Sequence, residues 1–282
     1  MKKIKEKNQI IIKARFGWQP IKFNELSEYR DLFYFLIKRD VLALYKQTVL
    51  GFTWAIIRPV FSMIIFTFVF GGLAKVPSDG IPYPIFSYAA LIPWTYFSNV
   101  LTKSSNSLIS GKGVFTKVYF PRLIIPLTPA FSSLIDFCIS FIILIFLMFY
   151  YGIAPTLNIV YLPLLIILMI LTASGIGMWL SAMAIQYRDI PHGIAFLVQL
   201  LMYSAPVVWP ASLIKENYGE TVEMIYGLYT MAGVIEGFRA SLIGQNPMPW
   251  NLIGMGTISA IIIFWSGALY FKSKEKIFAD VA

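Results

Sequence analysis

Side chains able to hold a metal ion, carry a proton or attack a substrate are scarce in this sequence, and their spacing suits little chemistry. His192 is the only histidine and Cys138 the only cysteine among 282 residues. A His-rich zinc site, a multi-cysteine metal site and an intrachain disulfide are therefore excluded. Close acids occur twice, as Glu25, Glu28 and Asp31 and as Glu216, Glu220 and Glu223. Clustered acids could hold a divalent cation for transfer chemistry on a phosphorylated lipid, but both sets read as solvated helix faces. "SGKGVFTK" (110–117) contains a Gly-Lys pair but neither the spacing nor the Ser/Thr of a phosphate-binding loop. The chain cannot hydrolyse ATP by that route. Asp136 stands alone in an apolar run, and an acid in such a place is a functional candidate. Its blander reading is an ion pair or hydrogen bond between helices, with Arg58 one partner to consider.

The elements that must position these residues follow from composition. Hydrophobic residues make up 58% of the chain and charged residues 13%, about half the charged share of an average soluble protein. Apolar runs near the ~20 residues that a bilayer requires occur at about 52–74, 81–102, 123–150, 158–184, 192–208 and 250–271. No charge falls between Phe137 and Tyr187, and "YYGIAPTLN" (150–158) supplies the turn between two spans. Cys138 is expected to pack. The first 50 residues lack the short apolar core of a secretory signal, so the N-terminus is expected to be retained.

Six spans put both termini on one side, and the basic residues orient them. With the N-terminus in the cytoplasm, twelve Lys and Arg fall at or before Arg58. Lys103, Lys112, Lys117, Arg122, Arg188, Lys272, Lys274 and Lys276 join them, leaving Lys75, Lys215 and Arg239 outside. The net charge of +9 is thus mainly a topology signal rather than a nucleic-acid footprint.

Two segments do not fit a plain six-helix count. Residues 28–46 follow Ser27, an expected N-cap, and carry Leu32, Phe33, Leu36, Ile37, Val41 and Leu44 as one stripe. Arg30, Lys38, Arg39 and Lys46 lie largely off it. This predicts an amphipathic helix in the cytoplasmic membrane interface, touching lipid. The segment 209–249 is apolar yet carries Glu223, Glu236 and Arg239. It predicts one or two short helices that enter the outer leaflet and return. The fold class expected is an all-α integral membrane protein with six transmembrane helices, the interfacial helix before them and re-entrant outer helices before the last span.

The 23 Phe, 16 Tyr and 7 Trp gather at span ends, as in "YPIFSYAALIPWTYFSN" (83–99), where interfacial belts account for most of them. A few could line a path for a sugar chain, because aromatic faces stack on carbohydrate.

"RDVLALYKQTVLGFTWAIIRP" (39–59), "VPSDGIPYPIFSYAALIPWTYFSN" (76–99), "SSNSLISGKGVFTKVYFPRLIIPL" (104–127) and "YRDI" (187–190) together resemble, in order, the polysaccharide-export permeases of the ABC-2 type. The likeness runs from about residue 20 to near the end. Arg58 departs from the family pattern, in which a neutral polar residue such as Gln is usual. The resemblance implies the membrane subunit of an exporter of lipid-linked O antigen, capsule or teichoic acid in the bacterial cytoplasmic membrane. It implies a homodimer bound to two copies of a separate ATPase, which would hold ATP and Mg while this chain binds no cofactor. It further implies that the interfacial helix is a gate and that 103–117 and 186–193 are coupling loops, the first forming a short helix of its own.

On that basis Asn106, Ser107, Lys112, Tyr187, Arg188 and Asp189 are expected to face the ATPase. Pro191 would open the fifth span, and His192 is a contact residue rather than a pH switch. Arg39, Lys46 and Arg58 are expected at the cytoplasmic entrance, where an undecaprenyl-pyrophosphate type head group arrives, with snorkelling to the interface the plainer reading of Arg58. Trp54, Tyr88, Trp94 and Tyr203 are candidates for the glycan path. The competing classes are an ABC-2 permease for a smaller lipid or drug, a membrane-embedded glycan or lipid transferase, and a scaffold or passive channel.

Overall fold

A computed structural model describes residues 27–46, 51–115, 120–275 and 278, with residues 52 and 112–115 described by backbone alone. The basic segment 1–26, including Glu25, and residues Lys117 and Lys276 lie outside them. The described residues contain helices and no strand. Helix α1 is Arg30–Tyr45. Helix α2 is Trp54–Phe66 and runs on as a π-helical stretch, Thr67–Leu73. Next come α3 (Tyr83–Phe115), α4 (Ile124–Ser132) and α5 (Leu134–Tyr150). Helix α6 (Leu162–Ala184) follows a 3₁₀ turn, and α7 is Ile190–Ser204. Three shorter helices, α8 (Ser212–Tyr218), α9 (Glu220–Tyr226) and α10 (Thr230–Leu242), precede α11 (Trp250–Lys274).

Four stretches are long and apolar enough to cross a membrane: Trp54–Leu73, Ile124–Tyr150, Leu157–Ala184 and Trp250–Lys274. Helix α7 is apolar but has only 15 residues. Helix α3 is long enough, at 33 residues or about 50 Å, but its second half is rich in Ser, Asn and Lys. The expected span at 81–102 is thus the first part of a longer helix. The segment 103–115 is no loop with a separate short helix but the uninterrupted end of α3. Ser105 and Asn106 donate back along the helix to the Thr102 carbonyl and Ser107 to the Ser104 carbonyl, while Ser104 donates across to the Pro126 carbonyl of α4. They compete less with the helix than isolated turn formers would.

Helix α3 is the axis of the subunit, lying along α2, α4, α5, α6, α7 and α10. Helices α6 and α11 make the most extensive pairing, through small residues as close membrane packing requires. A Cβ on Gly267 would stand 2.2 Å from the Gly175 carbonyl oxygen, and one on Gly177 would meet Ser104 of α3 at 2.9 Å. Pro129 lies within α4, and the helix is interrupted at Ser133 before α5 begins. Every residue of α10 is buried, whereas α7 buries only Ile194 and α2 none. The segment 209–249 therefore contains three short helices rather than one or two.

Near the start of α3 a buried ion pair ties these short helices to the core. Arg239 Nη1 donates to Glu236 Oε1 at 2.8 Å, and its other donors reach the Phe86 and Val207 carbonyls at 3.2 and 3.0 Å. The Ala211 amide donates to Glu236 Oε1 at 2.9 Å. The guanidinium also lies over the Phe86 ring, 3.5 Å from its centroid. Each buried charge is thus paired and further hydrogen-bonded, as burial demands.

Candidate functional site

Helix α1 lies against α4. Its Leu36 is buried, and Phe33 meets Phe131 edge-on, the centroids 5.2 Å apart. Tyr34, Phe35 and Leu42 remain exposed, so the apolar surface exceeds the stripe read from spacing and extends away from the bundle. Tyr29, not Ser27, holds the N-cap of this helix.

Between α1, the second half of α3 and α4 lies a cavity of about 440 Å³, within the usual range for small-molecule sites. Its polar wall is Arg39, Asp40, Thr102, Lys103, Asn106, Ser107 and Ser110. Leu36, Ala43, Leu44, Phe120, Ile125 and Pro129 supply an apolar wall opposite in character. Lys103, Asn106, Ser107 and Ser110 follow i, i+3, i+4, i+7 spacing, which puts them on one face of α3. Arg39 is held by Asp40, with Nη2 to Oδ1 at 2.8 Å. Lys103 Nζ reaches Ser133 Oγ at 3.4 Å. Burial disfavours the charged form of Lys103, Asp136 and Asp40 attract the ammonium, and Arg58 repels it. Asp136 in turn accepts a hydrogen bond from the Tyr45 hydroxyl at the end of α1.

The structure gathers Arg39, Asn106 and Ser107 from two groups that the sequence kept apart. Lys46 caps α1 and is exposed, and neither it nor Arg58 lines the cavity. Arg58 is exposed and its guanidinium lies 5.2 Å from the Trp54 ring centroid, one helical turn away. Asp136 takes its partner from Tyr45 rather than from the cation considered in the sequence. Tyr187, Arg188 and Asp189 are exposed in the short connection between α6 and α7, with Pro191 in the first turn of α7 as expected. The ends of α3 and α6 meet at Ser107 and Ser181, whose hydroxyl oxygens are 3.2 Å apart. Lys112 lies on α3, its side chain outside the described residues.

Two of the path candidates need correction. Tyr88 and Trp94 are 0% and 4% exposed and belong to the core of the subunit, because α3 is surrounded by other helices. Trp54 and Tyr203 are exposed, the latter on α7. Sequence reasoning missed Lys103 and Asp40, counting the lysine only toward topology. The face spacing on α3 was the available signal, obscured by the expectation of a loop.

The chain matches the family model of the ABC-2 type transporter over residues 31–243. It is 25% identical to the O-antigen export system permease protein RfbA of Myxococcus xanthus over 91% of this chain and 97% of that protein. A Klebsiella pneumoniae protein of the same name is 25% identical, over 89% of this chain and 95% of its own length. The polysialic acid transport protein KpsM of Escherichia coli is 21% identical, over 86% and 92%. With the family match spanning α1 through α10 and the likeness to permeases covering nearly the whole chain, this multi-pass helical protein belongs to the ABC-2 type membrane transporter family.

Proposed function

We propose that the chain is the membrane subunit of an ATP-driven exporter of lipid-linked polysaccharide, O antigen or a glycan of similar build, in the bacterial cytoplasmic membrane. It works as a homodimer with two copies of a separate ATPase subunit. The observation that carries this reading is the cavity beside α1, which combines one polar, net cationic wall with an apolar one. A lipid bearing an anionic head has both characters. Arg39 and Lys103 meet the pyrophosphate, Asp40 and Ser133 hold those cations in place, and the apolar side accepts the start of the isoprenoid chain. The names of the similar proteins support the glycan as cargo.

In this reading α2, α3, α4–α5, the helix ending at Ala184, α7 and α11 are the six spans. Both termini are cytoplasmic, which agrees with the basic balance. Helices α8 to α10 stand on the outer side. Helix α2 and α7 bury almost nothing within one subunit, which leaves them free to meet lipid or a second copy. Trp54 and Tyr203 lie on these helices and are the aromatic residues retained for the glycan path. The exposed turn at Tyr187, Arg188 and Asp189 and the end of α3 receive the closing motion of the ATPase, and the Ser107–Ser181 contact moves them together. Deleting the gene tests the function. Loss of surface glycan with accumulation of lipid-linked glycan inside the cell is the expected result. Intact surface glycan would instead support export of a smaller lipid or drug.

A further inference from the structure

At the opposite end of α3 from the α1 cavity lies a second, larger one of about 650 Å³. Its walls are the 79–81 turn, α8, α9, α10 and the segment 245–252 that opens α11. We propose that this cavity binds a short stretch of neutral, hydroxyl-rich sugar, making it a glycan site on the side to which cargo emerges. It rests on the polysaccharide reading above and adds to it a site remote from the entrance.

Three observations carry the assignment. The first is charge. Asp79, Glu216, Glu223 and Glu236 line the cavity against Lys215 and Arg239, and Arg239 is already engaged by Glu236 and two carbonyls. The lining is net acidic and repels phosphate. Yet no group of three or more His, Cys, Asp and Glu that could hold a metal ion occurs among the described residues.

The second is a set of oriented polar groups. Asp79 has a positive φ of 52°, a conformation Asp tolerates better than most residues. It accepts hydrogen bonds from Asn246 Nδ2 at 2.7 Å and from Ser212 Oγ at 3.2 Å. These bonds fix the carboxylate and the amide side by side at the rim, with Gln245 next to them. Glu223 Oε2 is buried without a hydrogen-bond partner, with Lys215 Nζ at 3.9 Å. A buried acceptor left in that state calls for a donor, and a sugar hydroxyl is one.

The third is an aromatic ring. Trp250 lines the cavity, is 49% exposed, and is held edge-on by Tyr161 with centroids 4.8 Å apart. Planar polar groups that pair with vicinal hydroxyls, beside a fixed and open indole, form a surface for a sugar ring.

The test is saturation-transfer NMR on the full chain in lipid nanodiscs. The probe is the neutral oligosaccharide mixture released by mild acid from the producing cell's surface glycan, with inorganic phosphate and calcium chloride as separate arms. Wild type is expected to transfer saturation to sugar ring protons. Trp250→Ala should weaken apparent binding about tenfold, and Trp250→Phe should retain most of it. Gln245→Ala and Asp79→Asn, which preserve the turn, should each weaken it several-fold. Sugar signals equal in wild type and all four variants, or binding of phosphate or calcium without sugar, would overturn the assignment. The readout needs no ATP. A wild type that exports glycan but shows no variant-sensitive sugar binding sinks this site alone, whereas unaltered surface glycan in the deletion strain sinks the polysaccharide reading.

Discussion

The Tyr45 hydroxyl at the end of α1 donates to Asp136 Oδ1 in the first turn of α5, so the one acid within an apolar span latches the amphipathic helix to the bundle. A hydrogen bond to a charged group contributes about 1.5–3 kcal/mol. Tyr45→Phe removes only the hydroxyl and should raise amide hydrogen exchange across Arg30–Tyr45 at least tenfold in nanodiscs. Asp136→Asn should act in the same direction, and the double variant should add little, because both lose one interaction. Unchanged exchange in both single variants would show that α1 is held by packing alone.

The Glu236–Arg239 pair predicts an asymmetric mutational response. Arg239→Leu leaves the Glu236 carboxylate buried and unpaired and frees the Phe86 and Val207 carbonyls, at a cost of about 3–5 kcal/mol. Replacing both residues by apolar ones of similar volume should cost less than that single change. Thermal unfolding in detergent reads both. A double variant less stable than Arg239→Leu would mean that the pair contributes net stability.

At the α6–α11 crossing, Gly267→Ala places a methyl group against backbone that cannot yield. Overpacking of this kind costs about 1–3 kcal/mol, and the unfolding midpoint should drop accordingly. Gly254→Ala on the same helix meets nothing within 4 Å and should leave the midpoint unchanged or slightly raised.

Arg188→Ala combined with Asp189→Ala removes two exposed charges at the turn assigned to the ATPase. Stability should be unaffected, since exposed charges contribute little. Stimulation of the partner's ATP hydrolysis by this subunit should fall at least about fivefold, the range of ordinary coupling energies. Wild-type stimulation and export together would remove the turn from the coupling surface.

Much of the fold was legible because membrane helices announce themselves by length and polarity. The apolar runs expected at about 52–74, 123–150, 158–184 and 250–271 all fold as helical stretches long enough to cross a membrane. The basic helix at the N-terminus formed where its stripe predicted. What failed did so for identifiable reasons. Serine, asparagine and glycine at 104–113 look like loop residues, but Ser105, Asn106 and Ser107 bond back to carbonyls of α3, and the helix continues. Tyr88 and Trp94 look like pore aromatics, but only tertiary packing decides that α3 is the enclosed helix and α7 the open one. The Arg239 network joins residues separated by 153 and 32 positions, a contact that no local pattern encodes. Lys103 emerged as a site residue only once the cavity between α1, α3 and α4 was seen.

The central claim is that the α1 cavity admits a lipid carrying an anionic head for ATP-driven export. The most direct measurement uses vesicles containing this chain and its ATPase, supplied on the ATPase side with lipid-linked glycan. ATP-dependent arrival of glycan in the lumen is scored for wild type, Lys103→Ala and Lys103→Arg. The account predicts export by wild type, a drop of about tenfold or more in Lys103→Ala through loss of one charge-assisted contact, and substantial rescue in Lys103→Arg. Equal export by all three, or glycan arrival without ATP, would contradict it.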